Sequence, residues 1–158
     1  MTADLFAELP QPQLEPAFDV TVHVGPPIDP GVTSAGHRRL VPILGGRITG
    51  SLEAEILPGG FDRQIIREDG TFGIDADYAG NTEHGPLLLH ARGVRTGPPE
   101  ILARLGRGEP VAPSEYYFRT VVEFESSAPE HAHLQRTLHV AVCRREGAAV
   151  HYRAYRLH

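Results

Sequence analysis

The 158-residue chain predicts an all-β domain closed into an antiparallel β-barrel of about eight to nine strands with one short helix. Phe18, Val20, Val22 and Val24 alternate with Asp19, Thr21 and His23, the period of a half-buried strand. The rest of the chain runs in short β-like segments separated by turn-forming clusters. Only one stretch has a convincing helical pattern, too few helices for the crossovers of a parallel sheet. So many strands leave two exposed edges unless the sheet closes on itself; a two-sheet sandwich is the alternative.

The elements follow in order. Residues 1–16, with Pro10, Pro12 and Pro16 and a weak apolar pattern, read as an N-terminal arm that could be mobile, and 17–158 as one barrel domain with a single core. After the Phe18–Val24 strand, Gly25-Pro26-Pro27 and Asp29-Pro30-Gly31 build a loop, because proline fixes φ and glycine permits positive φ. Further strands are expected over 38–44, 47–57, 61–67, 72–79, 86–94, 116–125, 137–145 and 149–157. The turn clusters are Gly45-Gly46, Pro58-Gly59-Gly60, Asp69-Gly70, Glu83-His84-Gly85-Pro86 and Glu146-Gly147, several short enough for antiparallel hairpins. The helix is expected over 99–106: Pro99 suits its first turn, Glu100 its N-terminal dipole, and Ile101, Leu102 and Leu105 form its apolar stripe.

Composition closes several routes to function. All fifteen cationic residues are arginine. Without lysine there is no Schiff base and no phosphate-loop lysine. A net charge of −5 without a long basic run argues against nucleic acid as partner. Cys143 is the single cysteine, which excludes an intrachain disulfide and a multi-cysteine zinc site, and it reads as a small buried hydrophobe. No Gly-x-Ser-x-Gly or Gly-x-Gly-x-x-Gly motif is present, so neither a serine hydrolase nor a nucleotide or flavin cofactor is expected. No apolar run is long enough to span a membrane and no leader pattern opens the chain, from which no membrane partner and a cytoplasmic location are expected.

Five segments, taken in order, carry a resemblance. They are Gly36-His37-Arg38-Arg39-Leu40-Val41-Pro42-Ile43-Leu44-Gly45-Gly46, Leu57-Pro58-Gly59-Gly60-Phe61-Asp62, Asp75-Ala76-Asp77-Tyr78, Gly93-Val94-Arg95-Thr96-Gly97-Pro98, and Ser114-Glu115-Tyr116-Tyr117-Phe118-Arg119-Thr120. Together they resemble the family known as domain of unknown function 3237, small bacterial and fungal proteins, over roughly residues 16–157. The resemblance implies a β-barrel and carries no activity or catalytic set.

Polar residues inside strands are the candidates for chemistry. Asp62 and Gln64 share a strand face beside the Gly59-Gly60 turn, where a carboxylate is either a base or a turn cap. His90 interrupts the apolar run Leu87-Leu88-Leu89, as a hydrogen-bonded core histidine or as a general acid/base. Asp75 and Asp77 project to one face, opposite Ile74, Ala76 and Tyr78, and are merely solvated if that face is outside. In Arg38-Arg39 and Arg144-Arg145, one member of each pair points inward and needs a partner: a protein carboxylate such as Asp62 or Asp75, or the carboxylate or enolate of a ligand. Around 117–125 a polar face of Tyr117, Arg119, Glu123 and Glu125 opposes an apolar face of Phe118, Val122 and Phe124, and either could line the lumen. His131-x-His133 has metal-like spacing but sits in a loop without a following carboxylate, so no metal site is expected.

The reading that survives is a cofactor-independent lyase, isomerase or cyclase acting on a small oxygenated molecule in the lumen. Asp62, His90 and Tyr117 are its catalytic candidates, and Arg39, Gln64, Asp75 and Arg119 its substrate contacts. A small-molecule-binding barrel without turnover is the alternative. Strands apolar on both faces, as at Val41–Leu44 and Leu87–Leu89, predict a homodimer.

Overall fold

In the computed structural model, which describes residues 4–158, ten strands form one antiparallel sheet that closes on itself. The strands are β1 (Leu14–Val24), β2 (Val32–Thr33), β3 (Gly36–Gly50), β4 (Ala54–Ile56), β5 (Gly60–Ile66), β6 (Phe72–Thr82), β7 (Gly85–Thr96), β8 (Tyr117–Glu125), β9 (His139–Glu146) and β10 (Ala149–Leu157). Around the barrel the order is β1, β10, β9, β8, β7, β6, β5 and β3, and β3 pairs back with β1 to complete the ring. This is an eight-stranded closed barrel with two extra strands. The short β4 lies end to end with β5, both running against β3 and β6. Closure removes the exposed edges that an open sheet of this size would present.

Three of the five turn clusters reverse the chain as predicted, Asp69-Gly70, Glu83-His84-Gly85-Pro86 and Glu146-Gly147, whereas Pro58-Gly59-Gly60 links β4 to β5 without a reversal. Gly70 at φ 82° turns β5 into β6, and Gly147 at φ 57° turns β9 into β10. Gly45-Gly46 is a correction. It does not separate two strands but lies inside β3, with φ values of 151° and 147°, beside the register shift in the β1–β3 ladder. A Cβ on Gly46 would collide with the Thr21 carbonyl of β1, so glycine here serves close backbone approach rather than reversal. The reversal falls instead between Gly50 and Ala54, which divides the expected 47–57 strand between β3 and β4.

Of the arm expected over 1–16, residues 1–3 lie outside the described residues and 4–13 are exposed. Leu14, Glu15 and Pro16 already pair with Leu157, Arg156 and Tyr155. The helix α1 spans Pro99–Gly106 and buries Leu105. Two short 3₁₀ segments, Pro113–Glu115 and Pro129–Gln135, complete the chain.

Strand alternation decides what fills the barrel. Phe18, Val20 and Val22 of β1, Val41 and Ile43 of β3, Leu87, Leu89 and Ala91 of β7, and Phe118, Val122 and Phe124 of β8 all point inward and are buried. One end of the lumen is mainly apolar, where the Phe124 ring meets Phe18 and His139 edge to face and Phe18 and His139 are tilted against each other. Towards the other end the inward positions become polar.

Candidate functional site

At the polar end, β5 turns Asp62 and Gln64 into the lumen, and Gln64 is 5% exposed. The β5–β6 ladder pairs Asp62 with Ala76 and Ile65 with Gly73 but makes no pairs between them. The Asp75 amide left free by that break donates to Asp62 Oδ1 at 3.0 Å. Gln64 Nε2 donates to Asp62 Oδ2 at 2.7 Å, and Arg39 Nε donates to Gln64 Oε1 at 2.7 Å. Burial pushes the Asp62 carboxyl above the ordinary carboxylate range, against the lowering effect of those donors and of Arg95 and Arg39.

Three guanidiniums share this end. Arg39 comes from β3, Arg95 from β7 and Arg145 from β9. Arg95 is 3% exposed, its guanidinium centre 4.4 Å from the Phe72 ring and 5.4 Å from the Phe118 ring. The guanidinium centre of Arg39 lies 5.0 Å from the same Phe72 ring. Burial depresses all three side chains, Arg95 to about 10, and the positive charges of Arg145 and Arg39 add to the depression of Arg95. The Nε of Arg95 has no hydrogen-bond partner among the described residues.

Beneath this tier lies a mainly apolar cavity of about 50 Å³, walled by side chains such as Val22, Ile43, Ile74 and Phe118, with Asp62, Tyr78, Thr120, Cys143 and Tyr152 on its border. The Tyr78 and Tyr152 hydroxyls hydrogen-bond at 2.5 Å, and burial raises both phenols above their ordinary value. Burial likewise pushes the Cys143 thiol to about 12, so it stays protonated and behaves as the small hydrophobe its composition suggests. The residues around the cavity can therefore donate hydrogen bonds and exchange a proton, and none supplies a ready thiolate nucleophile.

Of the seven sequence candidates, Arg39, Asp62 and Gln64 meet here. The other four lie on the outer wall, which corrects the expectation of one shared lumen. Because β7 buries Leu87, Leu89 and Ala91, His90 must face outward. There its Nε2 meets Asp75 Oδ1 at 2.7 Å, and its Nδ1 lies 3.9 Å from Glu123. Asp75 faces outward because Ile74 and Ala76 face inward; only its amide reaches Asp62. On β8 the apolar face lines the lumen, leaving Tyr117 and Arg119 outside, stacked at 5.0 Å. Asp75, Asp77 and His90 also bring ligand atoms within 4.8 Å of one another, a metal-compatible grouping that the sequence reading did not anticipate. His131 and His133 do not form a pair: the 3₁₀ turn buries His131 against Ser126 Oγ at 3.0 Å and leaves His133 exposed.

Arg95, Tyr78 and Tyr152 were missed as site residues. The available signal was alternation, since Leu87, Leu89, Ala91 and Gly93 lead in steps of two to Arg95. The fold and its interior thus define a closed antiparallel barrel with a polar lumen at one end. The chain belongs to the family described as Protein of unknown function (DUF3237), matched over residues 12–157. A UPF0311 protein of Bradyrhizobium diazoefficiens is 38% identical over 134 residues, 84% of this chain and 88% of the relative. The crystal structure of a conserved protein of unknown function from Rhodopseudomonas palustris superposes with a TM-score of 0.88 at 33% identity, covering 95% of this chain and 99% of the other. A beta-barrel like protein from Acinetobacter baumannii AYE gives 0.83 at 39% identity, covering 96% and 99%. An enzyme from Penicillium herquei shares the fold at a TM-score of 0.69 and 19% identity, covering 96% and 98%.

Proposed function

We propose that the chain is a cofactor-independent lyase, isomerase or cyclase that acts on a small oxygenated molecule at the polar end of its lumen. The observation that carries this reading is Asp62: a buried carboxyl, raised by desolvation, on the border of an internal cavity. A carboxyl so tuned accepts a proton from one position of a substrate and returns it at another, so the exchange consumes no co-reactant. Arg39 and Gln64, linked to Asp62 by hydrogen bonds, orient the substrate, and Tyr78 with Tyr152 offers a hydroxyl pair at the cavity that Asp62 borders. That a barrel of this shape is an enzyme in Penicillium herquei is consistent with catalysis and no more specific than that. His90, Asp75, Tyr117 and Arg119 are left out of this proposal because they lie outside the lumen.

A binding barrel without turnover is the second reading. It is favoured by the two hydrogen bonds that already occupy both oxygens of Asp62, as a structural carboxylate requires. Asp62→Asn separates the two, with ligands first found by thermal shift across a library. A catalytic Asp62 loses roughly two orders of magnitude in turnover while the melting temperature stays nearly constant. A structural Asp62 costs roughly 1–3 kcal/mol of stability, and activity falls only with the folded fraction.

A further inference from the structure

We propose that Arg95, flanked by Arg39 and Arg145, anchors an anionic oxygen group of the ligand, a carboxylate or the enolate it resembles. This rests on the lumen being the ligand site and names the class of molecule that enters it. Asp62 acts on Arg95 and Arg39 from inside the barrel, Asp29 acts on Arg39 as well, and no carboxylate acts on Arg145, so the tier inside the barrel carries more positive than negative charge. No ion pair to any of the three guanidiniums forms among the described residues. Arg95 is the informative member. Its aromatic neighbours Phe72 and Phe118 satisfy the faces of the guanidinium, whereas its in-plane Nε–H has no acceptor. A buried, unmatched donor costs free energy, and an incoming oxyanion recovers it through charge-assisted hydrogen bonds in the plane of the fork.

The approach has the same sign. A cleft of about 640 Å³ on the outer wall contains Arg38, Arg63, Arg67 and Arg92, and Asp75 is the only carboxylate in its lining among the described residues. The lumen-facing Arg39 and Gln64 line that same cleft, at the break in the β5–β6 ladder. Positive potential in a low-dielectric groove concentrates small anions at its floor.

The test uses the full chain and two pairs of probes, acetate against acetamide and benzoate against benzamide, titrated calorimetrically in chloride-poor buffer. At least one carboxylate is expected to bind about tenfold or more tightly than its amide, and Arg95→Gln is expected to remove that preference. Equal binding of acid and amide, or no binding of either acid, overturns the proposal, and this comparison needs no variant. Should Arg95→Gln fail to fold, the half-buried Arg39→Gln takes its place, with a loss of preference expected and an unchanged preference counting against the site. The outcome is separable from the acid–base reading. Carboxylate binding with turnover indifferent to Asp62→Asn sinks catalysis and keeps the anion site; Asp62-dependent turnover of a neutral substrate without carboxylate binding does the reverse.

Discussion

Asp62 and His139 occupy opposite ends of the barrel and respond to pH in opposite senses. The folded chain holds the Asp62 proton more tightly than the unfolded chain, whose carboxyl titrates near the ordinary 3.8. The resulting stabilisation is complete below about pH 4 and is lost as pH rises through the raised value. Asp62→Asn lacks that proton, so the stability of wild type relative to the variant should decline as pH rises above about 4 in urea titrations; a constant difference contradicts the burial argument. His139 packs 5.6 Å from Phe18 and 5.4 Å from Phe124, with its Nδ1 unpartnered among the described residues. Burial depresses the imidazole below 6.5, so the unfolded chain takes up a proton first and stability is lost as pH falls through the depressed value. His139→Leu should lose less stability than wild type as pH falls below about 6.5. An identical acid-side slope would show that His139 does not contribute.

Strands in this barrel approach closely where a glycine allows it. A Cβ on Gly93 of β7 would run into the Arg119 carbonyl of β8, although the φ of Gly93 needs no glycine. Relief requires the β7–β8 ladder to shift, and that ladder carries Arg95 at its end. Gly93→Ala is therefore expected to cost at least about 2–3 kcal/mol in chemical denaturation. Gly106, at the end of α1, has no atom near its missing Cβ and no positive φ, so Gly106→Ala should be neutral or stabilising by up to about 1 kcal/mol. A Gly93→Ala chain as stable as wild type would mean that the interstrand spacing is not constrained by glycine. On the outer wall the same logic of alternation makes His90→Gln a mild change, since the side chain is partly exposed and its polar partners are the exposed carboxylates of Asp75 and Glu123.

The whole barrel leaves apolar side chains on its exterior. Leu40, Leu44, Ile65, Leu88, Val121 and Val142 are 37% to 56% exposed, while the apolar residues of α1, Ile101, Leu102 and Leu105, pack on the core cluster. Half of each doubly apolar run is accounted for by the core, through Val41, Ile43, Leu87 and Leu89; the outward half is what a second copy would cover. We propose a homodimer on this ground. Sedimentation at micromolar concentration should give twice the 17.2 kDa of one chain, and a single species at 17.2 kDa rejects the proposal. No helix among the described residues is long and apolar enough to cross a membrane.

Local order in the chain was enough to determine that this is a β protein, where most strands and hairpin turns fall, where the single α-helix lies, and which residues share a face. Alternation, proline and glycine act over a few residues, so their consequences are legible without knowing the fold. The inward set of β1 and the fate of Cys143 follow from it directly. Whether Gly45-Gly46 turns a hairpin or lies inside a strand was decided by the β1 backbone lying against it, a neighbour that local pattern does not reveal. The same holds for the site. His90, Asp75, Tyr117 and Arg119 were placed outside by what the other residues of their strands bury, and Arg39, Arg95 and Arg145 were brought together from β3, β7 and β9. Their convergence depends on strand neighbours distant in sequence, and only closure of the sheet, β3 onto β1, sets those neighbours.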